Sequence, residues 1–299
     1  MSLDVVEKQM MSFVQECEDD DVIAYFNALQ GGKRMRAKLM LHIASSSEQA
    51  IMLAAIVEMI HAASLLHDDV IDDAQLRRGV PSVNATQGSK IAVMLGDILY
   101  SKAFEKLTQF PDAIAKSIAS AVSKLSLGEL QDVTMAQQFT TDKAAYMQML
   151  YLKTASLIEA TAYSAALLAG KTEDEAQQYA QYGKFLGLSF QLVDDILDVI
   201  ADATTLGKPA MNDFVEGKTT LPYIFLYESL DANARKKLQS MHQRELLQEE
   251  VRWIQQSMSD NHIIEKAKEH AKEISAKALT CTTDNYLQTI LTQQLERHY

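Results

Sequence analysis

The sequence predicts an all-α protein, on three observations. None of its 4 prolines falls between Pro111 and Pro209, and that span is rich in Ala, Leu, Gln, Lys and Glu, which favour helix. Apolar residues recur at helical spacing, while convincing strand alternation is found nowhere. Glycine is sparse, 11 in 299 residues, so turn signals are few.

Taken in order, helices are expected at about 3–17, 33–46, 48–72, 89–108, 112–139, 142–169 and 173–200. Four more follow at about 218–230, 233–258, 261–279 and 283–297. Asp142 ahead of an Ala-rich run, and Thr172 before Glu173, Asp174 and Glu175, mark two helix starts. The loops 30–32, 74–88 and 203–217 each hold Gly, Pro or both. With no tandem repeat and no low-complexity linker, one domain over 1–299 is expected.

A net charge of −12 argues against nucleic acid, whose phosphates need a basic face. It leaves room for small anionic substrates, because bound cations invert the local sign. Cys17 and Cys281 are too few and too far apart for a disulfide or metal framework, which fits a reducing, cytoplasmic setting. The N-terminus lacks a basic region followed by an apolar run, so no signal peptide is expected. The stretch 154–170 is very apolar but contains Glu159 and is flanked by Lys153 and Lys171. It reads as a core helix, and no transmembrane segment is expected.

Two acidic helix ends carry the chemistry. In His67-Asp68-Asp69-Val70-Ile71-Asp72-Asp73, Asp68 and Asp72 lie one turn apart on one helix face. Asp194 and Asp198 repeat this spacing in Asp194-Asp195-Ile196-Leu197-Asp198. One such cluster alone also fits a solvated helix end. Two, each within strongly apolar helix, fit Mg²⁺ better, since this hard cation takes carboxylate oxygens and shares them with phosphates. If the two helices face each other, the carboxylates form a multi-Mg²⁺ cradle for a diphosphate.

Such a site also needs cations. Lys33 and Arg36 follow Gly31 and Gly32 at a helix start, an anion site by geometry and also compatible with a basic surface turn. Arg77 and Arg78 follow Asp72 closely, and guanidinium suits bidentate phosphate contacts. Lys153, Lys208 and Lys218 are further candidates, each also compatible with a solvated side chain, the last two in the loop that leaves the second aspartate helix. His61, seven residues before Asp68, returns to nearly the same helix face. His67 reads as packing or as support behind the site residues.

Five segments stand in this order: GGKRMR, LLHDDVIDD followed by RRG, LYLKT, FQLVDDILD and GKPAMNDFVEGKTTLP. Through them the chain from about Gly31 to Pro222 resembles the trans-isoprenyl (polyprenyl) diphosphate synthases, of medium- or long-chain type. The resemblance implies a single large helical bundle of the isoprenoid synthase type with a central active-site cavity. It implies three Mg²⁺ ions, two held by Asp68 and Asp72 with Asp69 supporting, and one by Asp194 with Asp195 and Asp198 near it. Arg77, Lys153, Lys208 and Lys218 would hold an allylic diphosphate. Lys33, Arg36, His61 and Arg78 would hold isopentenyl diphosphate, with Thr154 and Gln191 beside the reacting carbon. A homodimer is implied too, with the apolar helix 91–104 as a candidate interface or plain core, and a heteromeric partner left open. Two positions depart from the family pattern: Ala37 stands for a usual Pro, and Ser89 for a common Asn.

The reaction so implied is Mg²⁺-dependent 1′-4 condensation of an allylic diphosphate with isopentenyl diphosphate. A terpene cyclase or a head-to-head synthase shares acidic helices but has no use for GGKRMR and RRG. A non-catalytic subunit usually loses aspartates that this chain keeps. Ala63 and Ser64, five and four residues before Asp68, are small where short-chain enzymes place an aromatic plug. At one turn of helix per isoprene unit, a product of roughly six to eight units is expected, with a short-chain synthase as the alternative. Ile56, Met59, Ile60 and Met94 are candidates for the tunnel floor or for plain core.

Overall fold

The computed structural model describes residues 3–29, 31–200 and 211–296, which are helical almost throughout. In chain order the helices are α1 Asp4–Gln15, α2 Asp20–Ala28, α3 Met35–Ile43, α4 Glu48–Ile71, α5 Val83–Gln87 and α6 Ser89–Leu107. Then come α7 Asp112–Ala136, α8 Lys143–Leu150, α9 Ser156–Leu168 and α10 Glu173–Ile200. The last are α11 Asn212–Val215, α12 Leu221–Ser229, α13 Ala232–Ser240, α14 Gln248–Asp260, α15 Ile263–Leu279 and α16 Asn285–Leu295. These form two compact units, Met1–Ser123 with Leu157–Ala180, and Lys124–Ser156 with Gln181–Tyr299.

The first unit is built on α4. Ser47 caps it by accepting from the Ala50 amide at 3.2 Å. Leu53, Ile56, Val57, Met59, Ile60 and Ala63 are fully buried, and α4 packs chiefly on α6, α3 and α1. Each of these Leu, Ile, Val and Met side chains contributes roughly 1.5–3 kcal/mol by leaving water. Among the described residues α4, not 154–170, is the one helix long and apolar enough to cross a membrane, yet 61% of its most apolar window is buried inside the protein. That burial marks a core helix.

The second unit has its own core, in which Leu192, Ile196, Ile224, Leu238 and Ile254 meet. Phe214 stacks on Tyr223 with ring centroids 4.2 Å apart. The two expected starts are present: Asp142 accepts from the Ala144 and Ala145 amides, and Thr172 and Glu175 form a reciprocal cap.

Besides α11, which falls inside the expected loop 203–217, four local features depart from the sequence reading. Helix α2 was not expected, although Asp19 caps it by accepting from the Val22 amide. The 74–88 loop contains α5 and a two-residue hairpin pairing Leu76–Arg77 with Val80–Pro81. Tyr151–Ala155 is a turn of π-helix between α8 and α9. The expected helix 233–258 is broken between α13 and α14.

Candidate active site

In the first unit, a buried carboxylate organises the basic cluster. Glu58 accepts from the Ala37 amide at 2.9 Å and from Arg34 at 3.3 Å. Arg34, in a left-handed conformation at φ 49°, also donates to both carboxylate oxygens of Glu7, at 2.6 and 3.0 Å. An Ala rather than a Pro at position 37 supplies the N–H that donates to Glu58. Glu58 was missed in the sequence reading; its signal is a lone carboxylate within the apolar run 50–60.

Arg36 is buried, and its Nε has no hydrogen-bond partner. The guanidinium of Arg78 lies over Gly32, so close that a Cβ built there would fall 2.7 Å from its nitrogens. His61 completes the group. Burial first, and then the charges of Arg36 and Arg78, hold its imidazole well below the ordinary value and therefore neutral near pH 7. Arg36, His61 and Arg78 thus gather as one cluster, with Lys33 next to Gly32.

Arg77 behaves differently. On the hairpin, it donates from Nε to Asp69 at 2.7 Å and from Nη2 to the same oxygen. The turn residues Arg78 and Gly79 both take positive φ, which sends the two arginines to different partners. Asp69, expected to support metal, is buried against Arg77. His67 packs as expected, with Nε2 at 3.2 Å from the Val93 carbonyl and its ring on Tyr100.

In the second unit, the π-turn presents Lys153 and Thr154. An added Cβ on Gly128 would lie 2.3 Å from the Lys153 amide nitrogen, so only glycine lets α7 approach this closely. That approach brings Asp132 and Glu129 of α7 to 2.6 and 2.8 Å from Lys153 Nζ. Burial alone would lower the lysine's pKa, but these two carboxylates outweigh it and raise it above the ordinary value. Lys153 is therefore a firm cation.

Thr154 donates to the Gln191 side-chain oxygen at 3.0 Å, and Gln191 donates to Asp195 at 2.9 Å. The Tyr146 hydroxyl donates to the other oxygen of Asp195. Burial, then the nearby charge of Asp213, pushes Asp195 well above the usual carboxylate range. Asp198 accepts from the amides of Met211, through its carbonyl at 2.9 Å, and Asp213, through its carboxylate at 3.2 Å. Lys153, Gln191, Asp195, Asp213 and Lys218 line one cavity of about 100 Å³. Lys208 lies outside the described residues. Glu129, Asp132 and Asp213 were missed, though Asp213 stands inside the GKPAMNDFVEGK segment.

Among the described residues, no three carboxylates or imidazoles converge tightly enough to cage a metal alone. The donors present are hard oxygens offered in small numbers. That set fits Mg²⁺, which keeps few protein ligands and completes its shell with phosphate and water.

A family model described as "Polyprenyl synthetase" matches residues 21–258. The octaprenyl diphosphate synthase of Haemophilus influenzae is 35% identical over 260 residues, 84% of this chain and 79% of the relative. A short chain isoprenyl diphosphate synthase of Methanothermobacter thermautotrophicus is 37% identical over 221 residues, 71% of this chain and 68% of the relative. The solved octaprenyl pyrophosphate synthase of Helicobacter pylori superposes with a TM-score of 0.92 at 40% identity, covering 99% of this chain and 98% of that one. A solved geranylgeranyl pyrophosphate synthase of Corynebacterium glutamicum, complexed with isoprenyl diphosphate and magnesium, shares the fold with a TM-score of 0.87 at 21% identity, covering 99% of this chain and 98% of that one.

Proposed function

The chain belongs to the polyprenyl synthetase family and is a trans-prenyltransferase of the isoprenoid synthase fold, and from that premise we propose which of its residues do what. The carrying observation is the buried Arg36 with its unclaimed Nε beside neutral His61 and Arg78. A desolvated guanidinium whose Nε lacks a partner suits an anion, and here that anion is isopentenyl diphosphate. A cyclase or head-to-head synthase has no such substrate.

Lys153 and Lys218 bind the allylic diphosphate, and Arg77, oriented by Asp69, adds a further cation. Asp68, Asp72 and Asp194 are the Mg²⁺ ligands, with Asp198 one turn from Asp194 on the same helix face. When bound, Mg²⁺ neutralises charge that develops on the departing diphosphate. Asp195 serves differently, holding Gln191 at the cavity wall, and Gln191 in turn holds Thr154, the two standing beside the reacting carbon. The allylic carbon loses its diphosphate, and the double bond of isopentenyl diphosphate, kept close by Lys33, Arg36, His61 and Arg78, attacks it. The proton then lost goes to the released diphosphate.

The product we propose is medium or long, about six to eight isoprene units at one unit per helical turn. The octaprenyl relatives and the small Ala63 and Ser64 support this, while the short-chain relative defines the alternative. Ile56, Met59 and Ile60 are fully buried core, and Met94 is 55% exposed, so none stands out as a floor. Ala63 is also fully buried, whereas Ser64 is half-buried. Phe at position 63 would therefore strain the core as well as plug a tunnel, which makes Ser64→Phe the cleaner plug. We further propose a single polyprenyl synthase domain, a cytoplasmic homodimer.

The test is to incubate the purified chain alone with Mg²⁺, isopentenyl diphosphate and several allylic starters, and to size the products. Products of about thirty to forty carbons, shortened in Ser64→Phe, are expected on the one-unit-per-turn scale. Products of only fifteen or twenty carbons would overturn the length assignment, and none at all would point to a required partner.

A further inference from the structure

The break between α13 and α14 contains neither Gly nor Pro, so local propensity does not explain it. Its residues are spent elsewhere. Gln243, at φ 59°, donates its backbone N–H to the Phe214 carbonyl at 3.3 Å. His242 Nε2 lies 2.6 Å from the Gly217 carbonyl oxygen, which can only accept, so Nε2 carries the proton. The His242 ring meets Phe139 and Phe214 edge-on, with centroids 5.4 and 5.6 Å away. Burial holds the imidazole below its ordinary pKa, against the opposing pull of that hydrogen bond.

What His242 grips is the segment carrying Asp213 and Lys218 into the cavity. The Lys218 amide closes this segment by donating to the Asp213 carbonyl at 2.7 Å. Gly217, at φ 93°, lies so close to α7 that a Cβ would fall 2.5 Å from the Ala136 carbonyl oxygen. The residue before Lys218 is thus pinned between α7 on one side and the His242 N–H on the other. His242 belongs to none of the five signature segments.

We propose that His242 is a positioning residue for the allylic diphosphate: by donating to the Gly217 carbonyl, it sets where Lys218 and Asp213 stand in the cavity. This rests on the reading that Lys218 binds that substrate. It predicts a defect confined to one of the two substrates, which a generally loosened fold would not give.

The experiment compares His242→Phe, which keeps a ring against Phe139 and Phe214 but removes the donor, with His242→Gln, which restores an N–H at similar reach. In His242→Phe the KM for the allylic diphosphate should rise about tenfold, the effect of one lost hydrogen bond. The KM for isopentenyl diphosphate should stay within about twofold, and His242→Gln should recover most of the loss. The rise in Tm produced by Mg²⁺ with inorganic diphosphate should shrink in His242→Phe and return in His242→Gln. Unchanged kinetics in His242→Phe, equal changes in both KM values, or no rescue by Gln would each overturn the proposal. Should His242→Phe not fold, His242→Asn against His242→Gln, the same amide at two lengths, decides in its place. Lys218→Ala separates the layers. An unchanged allylic KM there overturns the assignment of Lys218 and the inference with it, while a raised one beside a silent His242→Phe overturns the inference alone.

Discussion

Among single residues, carboxylates with apparently equal claims on metal divide by their surroundings. Asp69 and Asp195 are buried and committed to Arg77, Tyr146 and Gln191. Asp68→Ala or Asp194→Ala should lower turnover by more than about 100-fold, beyond the loss typical of a residue that only supports a ligand. Circular dichroism should show the helical content unchanged, and ordinary turnover in either variant would refute the metal assignment. His61 offers a pH test. Its folded pKa is depressed by burial and by the surrounding guanidinium groups, while the unfolded imidazole titrates near 6.5. Below that value the unfolded chain binds a proton that the folded one refuses, so stability falls as pH drops, by at most about 1.4 kcal/mol per pH unit. Denaturant melts at about pH 7.5 and about pH 5.5 should show this loss, and His61→Gln should reduce it.

The elements show how helices of ordinary pattern make an unusual site. The π-turn at Tyr151–Ala155 is tolerated because Gly128 on α7 leaves space for its backbone, and π-turns recur at functional positions. Gly128→Ala should push α7 and the turn apart, costing about 1–3 kcal/mol as overpacking does. The allylic KM should rise with it, because Lys153 rides on the displaced turn; a variant of unchanged stability and KM would show that the approach is slack. Most long helices were legible from the sequence, because apolar spacing persists over many turns in α4, α7 and α10. The π-turn was not, since Tyr151–Ala155 has the composition of the helices that flank it. Nor was the hairpin, because two residues per strand show no alternation. The break after Ser240 was hidden for a different reason: its cause is a carbonyl 25 residues away. Of the site, the residues within signature segments were legible. Glu58, Glu129 and Asp132 were not, because a carboxylate on a helix looks like surface until its lysine, arginine or amide partner is in view.

For the whole molecule, the open matter is what surrounds the chain in solution. Most of α6, the candidate interface in the sequence, is core: Ala92, Leu95, Leu99 and Ala103 are buried, and Met94 is its exposed large apolar residue. The better candidate lies on α7, where Leu127, Leu130 and Val133 recur every third residue at 47%, 63% and 38% exposure. Residues three apart share one helix face, and a row of bare aliphatic side chains there costs solubility unless something covers it. A second copy brings the same row, so the two could bury each other about a twofold axis, the commonest arrangement of homo-oligomers. Sedimentation at micromolar concentration should therefore give a dimer. Leu130→Glu, which would place a charge against its own counterpart, should shift the chain toward monomer without altering its helical content. A wild-type chain that sediments purely as monomer would refute the dimer. If that monomer were also inactive alone, the exposed row on α7 would instead become the place to look for a different subunit.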